Sequence, residues 1–224
     1  MDATVWELIR EERASLARLV APLSAEQWAT PSLCAEWTVR DVVAHLLMTP
    51  AGEPHVRSMV VALVKARGHL WSAGRDVARE YARRPTSELV VELERTAGSR
   101  TRPIFVQDAN ILLDLVVHGQ DIAVPLGLDR PVPAAAAVLT LDRIWSMGWP
   151  FHARRRLAGV RLRCDLEPGT RGAPQEWEVG GGPEVRGSAA ALALLMTGRT
   201  AAALPMLHGP GVAGLGARRS LRGS

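Results

Sequence analysis

Asp114 and His118 lie four residues apart in the segment Asp114-Leu115-Val116-Val117-His118-Gly119-Gln120-Asp121. On a helix that spacing stacks a carboxylate and an imidazole on one face, about a turn apart. Each can give one ligand atom to a metal ion. His45 can give a third, from a second helical stretch where its neighbours are Val42, Val43, Leu46 and Leu47. Two nitrogens and one oxygen leave one position open on a tetrahedral zinc ion, the pattern of catalytic rather than structural sites. Asp121, about a turn past His118, can orient that imidazole or act as acid/base beside a metal-activated water. Two plainer readings stand beside this one. A histidine on an apolar helix face is commonly a core residue with a hydrogen-bond partner, and an Asp/His pair at this spacing is commonly an ordinary polar contact. His55 and His69 are rival ligands, since fourteen residues return to about the same helical face.

Other side chains offer less. Cys34 is a candidate thiol, but it precedes a helix in apolar surroundings, which favours packing. Cys164 falls on the inward phase of a strand pattern. Arg199, just past Gly198, can bind an anionic group, or simply complement a helix C-terminus. The chain has no Walker loop, no GxGxxG after a strand, no GxSxG elbow and no CxxC pair.

The elements that must position these residues read as follows. Thr38 is placed as an N-cap, with Asp41 three residues on as an approximate capping box and Trp37 able to staple onto Val42. This cap sets the rotation of a helix over 38–49, stopped before Pro50, and so the direction of His45. Upstream, Val5, Leu8, Ile9, Leu16, Leu19 and Val20 keep helical spacing over 3–20, and Ser24 caps a short turn to Trp28. Downstream, helices are expected from Pro54 to about Arg83 (with Gly68 or Gly74 as break points), over 88–97 behind a Thr86 or Ser87 cap, from Pro103 to about Gly119, and from Pro133 to Met147. Short connections make an up-and-down bundle the economical packing. After Pro150 the period changes. Val160, Leu162, Cys164 and Leu166 alternate with charged residues, two short strands follow at 175–179 and 184–186, and Ser188 caps an Ala/Leu helix ending at Gly198. Thr200 starts another short helix to Leu207, and a loosely held tail begins at Gly209. The expected organisation is a helical bundle over 1–150 and a small α+β domain over 151–224.

Composition narrows the function class. The 224 residues are 47% hydrophobic and 22% charged, with two cysteines, which is ordinary for a soluble globular chain without a disulfide framework. No apolar run reaches the ~18 residues needed to cross a bilayer, and residues 1–12 lack a signal-peptide layout. A cytoplasmic location with no membrane partner is the expectation. The pI of 10.0 overstates the field, because the net charge is only +4 and Lys65 is the sole lysine. Arginine does not titrate in the useful range. Its basic residues are scattered rather than gathered on one face, so no nucleic-acid partner is expected.

Longer strings carry a resemblance. Leu-Ser-Ala-Glu-Gln-Trp (23–28), then Ser32-Leu33-Cys34-Ala35-Glu36-Trp37-Thr38-Val39-Arg40-Asp41-Val42-Val43-Ala44-His45-Leu46, resembles the N-terminal signature of mycothiol-dependent maleylpyruvate isomerase-like proteins, which are DinB/YfiT-like metal-binding helical bundles. Asp114 to Asp121, with Pro125-Leu126-Gly127 after it, is similar to the family's second signature, and Val185-Arg186-Gly187-Ser188 through Thr197-Gly198-Arg199 to its small C-terminal domain. The resemblance implies a mainly α fold, a DinB-like bundle followed by a small α+β domain. It also implies a divalent metal, usually zinc, on His45, Asp114 and His118, where Asp114 replaces the family's usual glutamate and is one methylene shorter. Mycothiol, a low-molecular-weight thiol, would be the cosubstrate, and a small-molecule electrophile the partner. Thiolate addition to an activated double bond, rotation and elimination would give isomerisation; related members transfer the thiol instead. Arg199, with Arg218 second, would position an anionic substrate. A binding or regulatory member without catalysis, or a metal-dependent hydrolase using Asp121, are the competing outcomes, and the chain would be a monomer or homodimer.

Overall fold

The computed structural model describes residues 2–51, 70–102, 106–166 and 176–215. It divides into two compact units, residues 1–129 and 130–224. The expected domain boundary at 150 therefore falls inside the second unit. The helix expected to close the bundle belongs to the second unit, where it packs on the Ala/Leu helix.

The first unit contains, among the described residues, α1 (Asp2–Val20), α2 (Ala25–Ala29), α3 (Val39–Ala51), α4 (Leu70–Tyr81), α5 (Thr86–Thr96) and α6 (Asp108–Ala123). Helix α1 packs against α5 and α6, and α3 packs against α4, α5 and α6. Ile9, Leu16 and Val20 of α1, Val39, Val42, Val43 and Leu47 of α3, Leu89 of α5, and Leu112 and Ile122 of α6 are fully buried. These are the stripes that the helical spacing predicts. Removing such side chains from water drives the packing, at about 1.5–3 kcal/mol each. Charged residues also join that interior, Arg13, Glu12 and Asp121 among them. Arg13 is 1% exposed and donates through Nη1 to the carbonyls of Thr96, Ala97 and Ser99, so it closes the C-terminal end of α5. Burial lowers its pKa to about 10, which leaves the guanidinium charged at neutral pH.

Several boundaries differ from expectation. Helix α3 continues through Pro50 to Ala51; a proline this late in the described helix removes only the bond back to Leu46. Helix α5 starts behind Pro85, with no side-chain cap from Thr86 or Ser87. Helix α6 begins at Asp108 and does not end at Gly119. It runs on to Ala123 because Ile122 and Ala123 are fully buried, and that outweighs the modest cost of a helical glycine. Helix α4 passes through Gly74 unbroken. Most of the helix expected from Pro54, with Gly68, His55 and His69, lies outside the described residues, as does Arg218.

In the second unit come α7 (Ala134–Ser146), α8 (Ala153–Arg156), β1 (Arg161–Asp165), β2 (Glu176–Gly180), β3 (Glu184–Gly187), α9 (Ala189–Met196), α10 (Thr200–Ala203), a 3-10 turn (Leu204–Met206) and β4 (Leu207–His208). The sheet order is β2-β1-β3-β4. Strand β1 pairs antiparallel with β2, with Cys164 opposite Trp177, and parallel with β3, with Leu162 opposite Val185. Leu162 and Cys164 face inward, as their alternation predicts. Helix α9, capped by Ser188, packs on β1, β3 and α7. It is apolar all round and buried at every residue, the condition under which such a helix is stable in water. Trp177 ties β2 to α7 by donating to Asp142 at 2.7 Å.

Two expectations fail at the end of the chain. The helix expected from Thr200 to Leu207 stops at Ala203, and Leu207 starts β4, paired with Gly187. The stretch after Gly209 is also packed as far as Leu215. Gly211 donates to the Glu184 carbonyl at 2.7 Å, and a Cβ there would lie 2.7 Å from both Pro183 O and Val185 Cγ2. A glycine here is a close-approach residue, not a flexible one.

Candidate functional site

The turn before α3 is folded by its own polar groups. Ser32 Oγ donates to the Trp37 carbonyl at 2.9 Å and accepts from the Cys34 amide at 3.1 Å. Glu36 takes a left-handed conformation, φ 65°, which lets the chain reverse before the helix. The Leu33 amide donates to the Asp121 carbonyl at 3.2 Å, pinning the turn to α6. The expected capping box is present. Asp41 Oδ2 accepts from the Thr38 amide at 2.8 Å and from its hydroxyl at 2.7 Å, and the Asp41 amide donates to Thr38 Oγ1 at 3.3 Å. The rotation of α3, and with it the direction of His45, follows from that cap.

This arrangement brings His45, Asp114, His118 and Asp121 to one place on the bundle. His45 Nε2 lies 3.9 Å from Asp114 Oδ2. The His45 and His118 rings stand edge to face with centroids 5.0 Å apart, and the Trp37 ring lies 5.1 Å from His45 and 6.3 Å from His118. Trp37 therefore lines the histidines. His118 Nδ1 is hydrogen-bonded to Asp121 Oδ2 at 2.8 Å, and the Asp121 side chain is 0% exposed. With Nδ1 occupied, Nε2 is the nitrogen of His118 left for another partner.

Cys34 joins the site, although its apolar neighbours in the sequence favour packing. Its Sγ donates to Asp121 Oδ2 at 3.0 Å and approaches His118 Nδ1 at 3.5 Å. Cys34, His118 and Asp121 form a group whose ligand atoms all lie within 4.8 Å of one another. The apolar sequence around Cys34 suggested packing, because contact with Asp121 depends on a turn docking onto the far end of α6. The only signal in the sequence was the position of Cys34 inside the capped motif itself.

The electrostatics of the two histidines diverge. Burial works against the charged form of His118, but the bonds to Asp121 and Cys34 and the charges of Asp114 and Asp121 outweigh it and raise the pKa to about 10. His45 is lowered to about 4, first by burial and then by the neighbouring His118 charge, against the pull of Asp114 and Asp121. The metal-free site therefore carries one imidazolium and one neutral imidazole at neutral pH.

His45 and Asp114 are spaced as a pair that one metal ion could bridge, while the three donors that already lie together are Cys34, His118 and Asp121. A separation of 3.9 Å between His45 Nε2 and Asp114 Oδ2 is too long for a hydrogen bond, yet both can reach one ion. Zinc bonds of about 2.0–2.2 Å place tetrahedral ligands about 3.4 Å apart, so a small side-chain adjustment closes the gap. His45 Nδ1 is buried with no hydrogen-bond partner, so no hydrogen bond at that nitrogen opposes such an adjustment. Arg199 belongs to the second unit, as the N-cap of α10, where its Nη1 donates to the Thr197 carbonyl at 3.2 Å. A surface cleft of about 380 Å³ along α5, lined by Arg84, Glu88, Val91 and Glu92 among others, contains none of these ligand atoms.

Residues 9–104 match the family model described as the mycothiol maleylpyruvate isomerase N-terminal domain. Over these residues the chain is similar to that family. Cys34, Thr38, Asp41 and His45 lie within the matched stretch, and Asp114, His118 and Asp121 lie beyond it. Two solved structures are also similar to this chain. The mycothiol-dependent maleylpyruvate isomerase is 16% identical, over 88% of this chain and 89% of that one, with a TM-score of 0.46. A histidine-to-alanine mutant of the mycothiol-dependent maleylpyruvate isomerase is 15% identical, over 93% and 92%, with a TM-score of 0.45. No curated protein matches the sequence.

Proposed function

We propose that the first unit holds a divalent metal, zinc by preference, on His45, Asp114 and His118, and uses it with mycothiol to isomerise or S-conjugate a small electrophile. The observation that carries this reading is the bond from His118 Nδ1 to the buried Asp121 at 2.8 Å, beside a His45–Asp114 pair set at 3.9 Å, in a chain whose residues 9–104 match this family's model. When bound, the ion lowers the pKa of a thiol in its open position, so that a nucleophile exists at neutral pH.

The chain's own residues do the rest. Asp121 fixes the tautomer and angle of His118 by accepting from Nδ1. Thr38 and Asp41 hold the start of α3, and with it His45. Asp114, 46% exposed in its side chain, keeps the ligand set open to an entering thiol and electrophile. Trp37 covers one side of both imidazoles. Its ring excludes water there, which strengthens charge interactions at the site. Arg199 is the candidate for binding an anionic group of the substrate.

The hydrolase alternative is the weaker reading. It needs an acid/base group beside an activated water, and the candidate, Asp121, is fully buried with Oδ2 engaged by His118 and Cys34. The test is metal content of the purified protein beside His45→Ala and His118→Ala variants. Near-stoichiometric zinc, lost in both variants, is expected. A native protein that takes up no metal when zinc is supplied at neutral pH would overturn the enzyme reading and leave a binding role.

A further inference from the structure

His118 has two ring nitrogens, and the metal set assigned above uses only one. The other, Nδ1, belongs to a triangle with Cys34 Sγ and Asp121 Oδ2, whose sides are 3.5 Å (S to N), 3.0 Å (S to O) and 2.8 Å (N to O). We propose that this triangle is a second metal site, selective for a thiophilic divalent cation, with His118 presenting one nitrogen to each site. The triangle stands on its own geometry and shares His118 and Asp121 with the function proposed above; an ion in it replaces the Nδ1–Asp121 hydrogen bond and holds both groups by ligation instead.

The geometry supports a single ion at the triangle. With zinc bonds of about 2.3 Å to sulfur and 2.0–2.2 Å to nitrogen and oxygen, tetrahedral ligands lie roughly 3.4–3.5 Å apart. The sulfur–nitrogen side already has that length. The two shorter sides are hydrogen bonds into Asp121, and they lengthen by about half an ångström when an ion replaces the protons between them. Filling the triangle alone releases the thiol proton and the Nδ1 proton to solvent, leaving a thiolate, a neutral imidazole and a carboxylate as ligands; filling both sites releases the Nε2 proton as well, and His118 then bridges the two ions as an imidazolate. Two negative charges then offset the dication where the Asp121 carboxylate has no access to water. Cys34 and His118 are half-buried, not sealed, so an ion can enter from their side.

The donor types set the selectivity. Thiolate and imidazole favour zinc, cadmium and cobalt(II) and leave magnesium or calcium poorly served. The backbone fixes the site in place, since the Leu33 amide bonds the Asp121 carbonyl and Ser32 holds the Cys34 turn. The three side chains thus come from two segments that the fold already clamps together.

Cobalt(II) titration of the metal-free, full-length protein tests this, read by near-ultraviolet thiolate-to-cobalt charge transfer. The wild type should bind two equivalents and develop the band. His45→Ala/Asp114→Ala should keep the band with one equivalent, and Cys34→Ser should lose the band while still binding one. Absence of the band in wild type at saturating cobalt would overturn the site without any variant, as would a band that survives in Cys34→Ser. A band lost in both the Cys34→Ser and the double variant would mean one shared ion, which also overturns a second site. A wild type that binds a single cobalt, with a band kept by the double variant, would leave the triangle standing and remove the His45–Asp114 set.

Discussion

His118 is where burial and charge compete most directly. In the metal-free protein its folded pKa is raised to about 10, from the ordinary histidine value of 6.5. A raised histidine stabilises the fold fully below the unfolded pKa and loses that contribution as pH rises towards the folded one. His45 has the opposite sign. Its folded pKa is lowered to about 4, so its contribution is complete above about pH 6.5 and is lost as pH falls through 4. From this pair, the metal-free protein is expected to be most stable near pH 6.5, with the urea midpoint falling on both sides. His118→Gln should flatten the alkaline limb, and urea unfolding across pH 4–10 checks this. Zinc must also displace the His118 proton. Its affinity should climb about tenfold per pH unit through neutrality, and a pH-independent affinity would count against His118 as a ligand.

At the scale of elements, the cap of α3 and the length of α6 decide whether the proposed ligands meet. Thr38→Ala removes the hydroxyl that accepts from the Asp41 amide and donates to its carboxylate. A loss of about 1 kcal/mol in urea unfolding is expected, together with weaker zinc binding, because the rotation of His45 depends on that turn. Unchanged stability would mean that Asp41, bonded to the Thr38 amide, holds the helix start alone. The same cap was legible in the sequence, since Thr38 with Asp41, like Ser24 ahead of its short turn, announces itself by short-range spacing. What was not legible came from contacts distant in sequence. Gly119 reads as a stop, yet burial of Ile122 and Ala123 carries α6 past it and places Asp121 on the helix behind His118. Cys34 reads as packing, yet it meets Asp121, 87 residues away. Leu207 reads as the end of a helix, yet pairing with Gly187 draws it into the sheet.

For the whole molecule, charge placement matters more than charge total. Twenty-seven basic residues against twenty-three acidic ones leave +4, and the pI of 10.0 reflects arginine's high pKa, not an intense field. Many arginines are also locally answered. Arg84 pairs with Glu88 and Glu92, Arg102 with Asp108, Arg163 with Glu176, and Arg186 with Asp165. Others serve the interior, as Arg13 does at the end of α5 and Arg156 does by donating to the Leu195 and Met196 carbonyls of α9. A duplex binder needs several unanswered cations on one face, each releasing a counterion from the phosphate backbone. Titration with duplex DNA at about 0.15 M salt is therefore expected to give no binding, despite the basic pI. Any retention at low salt should vanish with a shallow slope, because few phosphates would be neutralised at once. Binding that persists at physiological salt with a steep slope would show that the scattered arginines converge on a single face, and would demand a nucleic-acid role beside the metal site.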